Sequence, residues 1–230
     1  MRFVHVELRA AERRLLALAE FYGEKLALAA TSASGESSSF QVGETTLEFI
    51  PGPDAPFYHF ALLVPGNRFD AALRWAGEGA PLLPDRRTGD VSFDFDFWEA
   101  RACYFHDPAG SIVELIAHRG INETDAEGEF EAAELVGLSE LGLVGDSRAM
   151  AASLARGLGL QVWDGSVEEP GGLAFVGERA RTLILAPPGR GWLPTGRAAE
   201  VHDISALLYG GPKGEVLLEG SRYRIRRSDF

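Results

Sequence analysis

Apolar and polar residues along the chain fall into a pattern that repeats. Phe3-Val-His-Val-Glu-Leu8, Phe57-Tyr-His-Phe-Ala-Leu62 and Leu138-Ser-Glu-Leu-Gly-Leu143 read as strands, and Glu200-Val-His-Asp-Ile-Ser205 is a weaker fourth copy. Each of the first three leads into a stretch with helical spacing. These stripes are Leu15, Leu18, Ala19, Tyr22 and Leu26; then Phe69, Ala72, Leu73 and Ala76; then Met150, Leu154 and Leu158, with Asp146 or Ser147 as N-cap. Short strands with turn signals follow each helix. Val91-Ser-Phe-Asp-Phe-Asp-Phe97 alternates as a sheet with one wet face should, and Asp107-Pro-Ala-Gly110 suits a type I turn between two further strands. The segments 40–51 and 175–187 echo one another. The predicted unit is strand–helix–strand–strand–strand, written three times. The tail from Ala199 to Arg227 is a shortened fourth unit, its helix replaced by Gly210-Gly-Pro-Lys-Gly214. The fold class is α+β.

Charge refines this picture. Asn122 to Leu135 holds six acids and no base, a run too polar to fold alone, and it reads as a solvated linker over 121–136. The expected organisation is then two units in 1–120, the linker, and a third unit with the remnant in 137–230. Over the whole chain 22 basic residues face 34 acidic ones, a net charge of −12. A surface that acidic repels nucleic acid and anionic lipid. The one cysteine, Cys103, excludes an internal disulfide and a thiolate zinc site. Apolar runs are short and lie inside amphipathic patterns, so no membrane span is expected. A cytoplasmic protein with a small-molecule partner is the expectation.

Candidate chemistry comes from placing the units in register. The third position of the first strand is His5 in unit one and His59 in unit two. The last strand carries Glu48 in unit one and Glu114 in unit two, each between apolar neighbours. A lone strand histidine is ordinarily structural, and a lone strand glutamate ordinarily faces solvent. Four such residues at matching positions point instead to a divalent-metal shell, His5, Glu48, His59 and Glu114. Nitrogen and oxygen donors of this kind suit Ni, Co, Zn, Mn or Fe(II) in Lewis-acid or redox work. Unit three has Glu140 where the histidine stood and Ile184 where the glutamate stood, so it is expected to pack or cover. His202 in the tail, without partners, is expected to be structural.

The βαβββ unit, the paired His and Glu positions and the closing string Tyr104-Phe-His-Asp-Pro-Ala-Gly-Ser-Ile-Val-Glu-Leu-Ile116 resemble the vicinal oxygen chelate superfamily. That group includes glyoxalase I, extradiol ring-cleaving dioxygenases and the fosfomycin- and bleomycin-resistance proteins. The resemblance implies paired units curled into half-open barrels of mixed sheet, helices outside. It also implies one metal ion chelating adjacent oxygens of a small substrate, in a site built within one chain or across a homodimer. His5, His59 and Glu114 match the two-His, one-carboxylate set of the dioxygenases. Glu48 matches a fourth ligand of glyoxalase I, where it also moves the proton. Arg9 matches a substrate-anchoring arginine there. Three functions follow. The first is a lyase or isomerase in which Glu48 or Glu114 transfers a proton. The second is a ferrous ring-cleaving dioxygenase on His5, His59 and Glu114, and the third a non-enzymatic module binding a small molecule. Trp98, Tyr104 and Phe57 are the aromatic candidates for lining a substrate pocket or filling the core.

Overall fold

The strands sort by which face is dry. In a computed structural model describing residues 1–34, 37–53 and 55–229, the repeats fold as predicted: β1 (Arg2–Ala10), α1 (Glu12–Glu20, continued by a π-helical turn over Phe21–Lys25), β2 (Ala29–Ser34), β3 (Ser37–Val42) and β4 (Thr45–Pro51). Unit two is β5 (His59–Val64), α2 (Phe69–Gly79), β6 (Phe93–Phe95), β7 (Ala100–His106) and β8 (Ile112–His118). Unit three is β9 (Gly137–Val144), α3 (Ser147–Leu158), β10 (Val162–Gly165), β11 (Ala174–Glu178) and β12 (Arg181–Ala186). A small hairpin of β13 (Gly191–Trp192) and β14 (Arg197–Ala198) leads to the helix-less remnant, β15 (Ile204–Tyr209), β16 (Gly214–Leu218) and β17 (Tyr223–Ser228).

The pairing of units differs from the expected one. Units one and two do not share a sheet. β1 runs antiparallel beside β15, giving a seven-stranded sheet in the order β16-β17-β15-β1-β4-β3-β2; we call this sheet A. β5 runs antiparallel beside β9, giving an eight-stranded sheet in the order β10-β11-β12-β9-β5-β8-β7-β6, sheet B. Each sheet therefore joins one unit from before the acidic stretch to one from after it, and 121–136 does not separate independent halves. That stretch is largely exposed, yet Phe130 and Leu135 are buried. Arg68 grips it through Glu134 (Nε to Oε2 2.7 Å) and the carbonyls of Gly128 and Glu129. The Arg68 hydrogen bond holds the Glu134 carboxyl below the usual carboxylate range.

Both sheets curl as half-barrels, and one face of each is packed by helices. Phe3, Val6, Leu8, Leu47 and Phe49 of sheet A and Phe60, Leu62, Val113, Leu115 and Leu183 of sheet B belong to one core, with Leu15, Leu18, Ala72, Ala76 and Leu154 from the helices. The remnant has no helix of its own, and α3 packs on β16 as well as on β12. The opposite faces differ sharply. That of sheet B is filled by a second apolar cluster including Phe57, Ala61, Tyr104, Ile184 and Trp192. The sheet also comes close to closing on itself. Trp98, just after edge strand β6, donates from Nε1 to Asp164 of the other edge strand, β10 (2.7 Å), and packs edge-on against Phe175 of β11 (4.5 Å). Sheet A's opposite face has no such filling among the described residues.

Three hydroxyls tie the sheets together at buried backbone groups. Tyr58 accepts from the Arg9 N–H (3.0 Å) and donates to the Asp203 carbonyl (3.0 Å). Thr45 donates to the Phe3 carbonyl and accepts from the Leu138 N–H. Tyr223 of sheet A accepts from the Val144 N–H of sheet B and donates to the Val144 carbonyl, each at 2.9 Å. Burial pushes the Tyr223 phenol up to about 12, so it stays a donor at any working pH. Tyr223→Phe keeps the ring but strips these bonds from a buried strand end. Stability is expected to fall by about 1–3 kcal/mol, read as a loss of about 2–10 °C in thermal melting; an unchanged melting temperature would mean the hydroxyl is not a tie.

Candidate metal centre

The dry face of sheet B carries charge where apolar side chains would be expected. In β5, His59 and Ala61 point to the same side, because alternate strand residues share a face. Ala61 is flanked in register by Glu114 of β8 on one side and Glu140 of β9 on the other. A β-bulge at Ser139 precedes Glu140, so Leu138 stays with the helix-side core while Glu140 turns to the face shared with His59. The small methyl of Ala61 leaves the two carboxylates facing across it. His59, Glu114 and Glu140 offer ligand atoms within 4.8 Å of one another, and they are the only such group of three or more among the described residues.

All three are buried: 6% of His59, 3% of Glu114 and 4% of Glu140 remain exposed. The His59 Nδ1 lies 3.2 Å from the Ile112 carbonyl, so a proton on Nδ1 is fixed there and Nε2 turns its lone pair to the site. Nε2 stands 3.4 Å from Glu114 Oε2. Burial lowers the imidazole to about 4, so it is neutral and does not compensate the carboxylate. The Tyr104 hydroxyl, from β7 opposite Glu114, hydrogen-bonds that carboxylate. Among the described residues no lysine or arginine forms an ion pair with either glutamate. Desolvation first, and for Glu114 the neighbouring Glu140 second, pushes both carboxyls above the ordinary range, Glu140 to about 8.

The predicted four-residue shell is divided between the sheets. His59 and Glu114 meet on sheet B. His5 and Glu48 form a pair of their own on sheet A, Nε2 to Oε2 2.9 Å, partly open to solvent. The physical reason is the strand pairing: the register that brings a second unit's first strand beside β5 selects β9, not β1. Unit three brings Glu140 beside His59 and Glu114, and its Ile184, in register with Gly142, belongs to the apolar cluster on the same face. Sequence reasoning located Glu140 by register but read it as a lost histidine. The signal for it was the one already used for Glu114, a carboxylate inside an apolar strand.

The other candidates fall as follows. Arg9 lies on sheet A, bonded to the Pro51 carbonyl (3.3 Å) and 3.5 Å from Glu7. Tyr104 touches the sheet B trio, whereas Trp98 spans the edges of that sheet. Phe57 packs under the Arg197 guanidinium at 3.3 Å and beside His202 at 5.6 Å. His202 packs on Phe57 and Tyr58 and lies 3.3 Å from Glu200, in keeping with a structural role. Trp192 of the β13–β14 hairpin covers His59, ring centroids 4.8 Å apart, and closes over Gly142, where a Cβ would come within 2.9 Å of the indole. Only about 10 Å³ of free space remains beside His59 under this cover.

No family model matches the chain, and no curated protein matches it. Solved structures do. A candidate dioxygenase from Bacillus subtilis superposes with a TM-score of 0.57 at 16% identity, over 100% of this chain and 86% of that one. Glyoxalase I from Zea mays superposes at 0.52 and 15% identity, over 90% and 74%. A V278E variant of the maize enzyme gives 0.53 at 12% identity, over 98% and 91%. The chain shares the fold of these glyoxalase and dioxygenase structures. No helix among the described residues is long and apolar enough to cross a membrane.

The raised carboxyls give a pH signature to the metal-free protein. Between the ordinary glutamate value of 4.5 and about 8, folded Glu140 holds a proton that the unfolded chain has released. That contribution to stability falls as pH rises through the window, whereas the neutral His59, lowered by burial to about 4, works the other way up to its ordinary value of 6.5. Above pH 6.5 only the carboxyl effect remains, and chelator-treated protein is expected to melt roughly 5 °C lower at pH 8 than at pH 6.5, with Glu140→Gln flattening the slope. A melting temperature that climbs over the same range would contradict the assignment.

Proposed function

We propose that the chain is a divalent-metal enzyme acting on a small substrate with adjacent oxygens, by proton transfer of the lyase or isomerase type, with His59, Glu114 and Glu140 as the metal ligands. One observation carries the reading: two carboxylates and a neutral imidazole converge in an apolar interior with no cationic side chain against them. Burying such charges uncompensated costs several kcal/mol, and a divalent cation among nitrogen and oxygen donors removes the cost. The donor set fits the group. When bound, the ion would polarise a substrate carbonyl and stabilise negative charge developing on its oxygen.

The chain's own groups have separable tasks. Tyr104 holds the Glu114 carboxylate in place, while His59 turns a lone pair to the site. Among the described residues no hydrogen-bond partner fixes Glu140, which makes it the group free to take a proton from the carbon beside the carbonyl and return it to a neighbouring atom. Glu114, the other candidate base, is the better anchored ligand. Trp192 excludes water, and its hairpin must swing aside to admit substrate. One histidine and two carboxylates also differ from the two-His, one-carboxylate set associated with ferrous oxygenases, which favours proton transfer over ring cleavage. The Trp192 cover favours one alternative, a metal held only to stabilise the fold.

Metal analysis and melting test the reading together. Protein loaded with Zn²⁺, Mn²⁺, Ni²⁺ or Co²⁺ and dialysed should retain about one equivalent per chain and melt about 5–10 °C higher at a hundredfold excess over Kd. His59→Ala, Glu114→Gln and Glu140→Gln should abolish this, and Tyr104→Phe should weaken it about tenfold. His5→Ala, on the other sheet, should leave metal content intact; its loss there would overturn the ligand assignment. Isomerisation of a thiol–methylglyoxal hemithioacetal, absent in Glu140→Gln, supports proton transfer. Oxygen uptake with catechols would replace it with ring cleavage, and metal without turnover would leave a structural ion.

A further inference from the structure

Sheet A repeats the geometry of the metal centre with different side chains. In sheet B, Ala61 is flanked by Glu114 and Glu140, His59 lies two residues before Ala61, and Ile184 pairs with Gly142. In sheet A, Glu7 is flanked by Glu48 and Ser205, His5 lies two residues before Glu7, and Arg226 pairs with Leu207. His5 and Glu48 thus correspond to His59 and Glu114. Ser205 stands where Glu140 stands, and Arg226 where Ile184 stands. One carboxylate ligand has become a hydroxyl, and a guanidinium occupies the fourth position.

This face is open. Glu7, Arg9, Asp203, Ser205, Arg222, Arg224 and Arg226 line a groove of about 580 Å³. The acids are already engaged: Glu48 with His5 at 2.9 Å, Glu7 with Arg9 at 3.5 Å and Asp203 with Arg222 at 2.6 Å. Arg224 and Arg226 alternate outward along β17 between buried Tyr223 and Ile225, and neither forms an ion pair among the described residues. Glu215 stands opposite Arg226 in register without reaching it. Two like charges on one strand face, roughly 7 Å apart, repel each other unless an anion lies between them. In a chain of net charge −12, a groove in which Arg9, Arg222, Arg224 and Arg226 outnumber Glu7 and Asp203, with two of the guanidiniums in no ion pair among the described residues, is a specific feature.

We propose that the sheet A groove is a binding site for a small organic dianion, whose oxyanion groups are clamped by Arg224 and Arg226 with Ser205 as a further donor. The planar guanidinium fork matches carboxylate and phosphate oxygens two at a time. The site is separate from the sheet B trio and does not depend on a metal there. A nucleic acid is the disfavoured polyanion, because the rest of the acidic surface repels a long strand.

Titration calorimetry on the full chain at low ionic strength, with succinate and with inorganic phosphate as probes and chloride as reference, tests this. The expected result is one site per chain for at least one dianion, with Kd at or below about 1 mM. Arg224→Gln/Arg226→Gln should weaken it at least about tenfold, with metal content unchanged. Arg13→Gln/Arg14→Gln, which removes the same charge from α1, should leave it within about twofold. Arg224→Lys/Arg226→Lys keeps the charge and guards against loss of fold; it should bind more weakly than the parent chain. Succinate binding alone marks a dicarboxylate ligand, and phosphate binding alone a phosphoryl group. No binding of either probe, equal binding in the Gln double variant, or tighter binding of a single-stranded RNA oligonucleotide than of both dianions would each overturn the proposal.

Discussion

The antiparallel contact between the first strands of two units is the constraint on which the rest depends. A βαβββ unit leaves the first strand with an unpaired edge, and that edge must find another strand or expose its backbone groups. Here β5 takes β9 and β1 takes β15. Which residues face one another on the inner side of each half-barrel follows from that choice, because a strand's side chains alternate faces and the register fixes the rest. The trio of His59, Glu114 and Glu140 exists because β8, β5 and β9 are consecutive neighbours. Had β5 paired with β1, the same residues would have made a four-ligand shell and Glu140 would have lain elsewhere.

That explains what could be read from the sequence. The elements were legible because each is local. Phe3 to Leu8 and Leu138 to Leu143 alternate as strands, and Met150, Leu154 and Leu158 keep a helical stripe that ends in α3 as expected. The equivalence of His5 with His59 and of Glu48 with Glu114 was legible too, from the internal repeats, and two of the three grouped residues, His59 and Glu114, were among them. Pairing between units was not. Edge strands β9 and β1 offer β5 nearly the same backbone, and the preference lies in side-chain packing across distant segments. The Tyr58, Thr45 and Tyr223 ties and the sharing of α3 between β12 and β16 are of this kind. None of them has a local signature. The acidic stretch misled for a related reason: Phe130 and Leu135 are single apolar anchors in a polar run, and only Arg68, far upstream, shows what they are anchored to.

The two half-barrels have come to opposite solutions of one geometric problem. A curled sheet presents a concave face that must be filled or wetted. Sheet B is filled: Trp98 bridges its edges, Trp192 covers His59, and tyrosine, phenylalanine and isoleucine pack the remainder. In that dry setting any charge is amplified, so two glutamates cannot stay ionised without a cation or a proton. Sheet A is wetted, its histidine and carboxylates pair with their neighbours, and each pair is exposed enough for water to screen it.

The same contrast decides what each face could recognise. Removing water strengthens the pull of the sheet B carboxylates on a small hard cation and makes ligand exchange depend on moving Trp192. Keeping water on sheet A weakens each individual contact, so recognition there requires several fixed charges acting together on one ligand. Arg224 and Arg226 satisfy that requirement because β17 holds them two residues apart on a rigid strand rather than on a loop, which limits the side-chain freedom that binding must freeze. Glu140 and Ser205 stand at corresponding points, one buried and one open. A carboxylate at the wet position would face Arg224 directly in register and cancel it, and a serine at the dry position would leave Glu114 and His59 without the second carboxylate beside them. In the functions proposed for the two faces, the substitution of one for the other turns a common scaffold towards cations on one side and anions on the other.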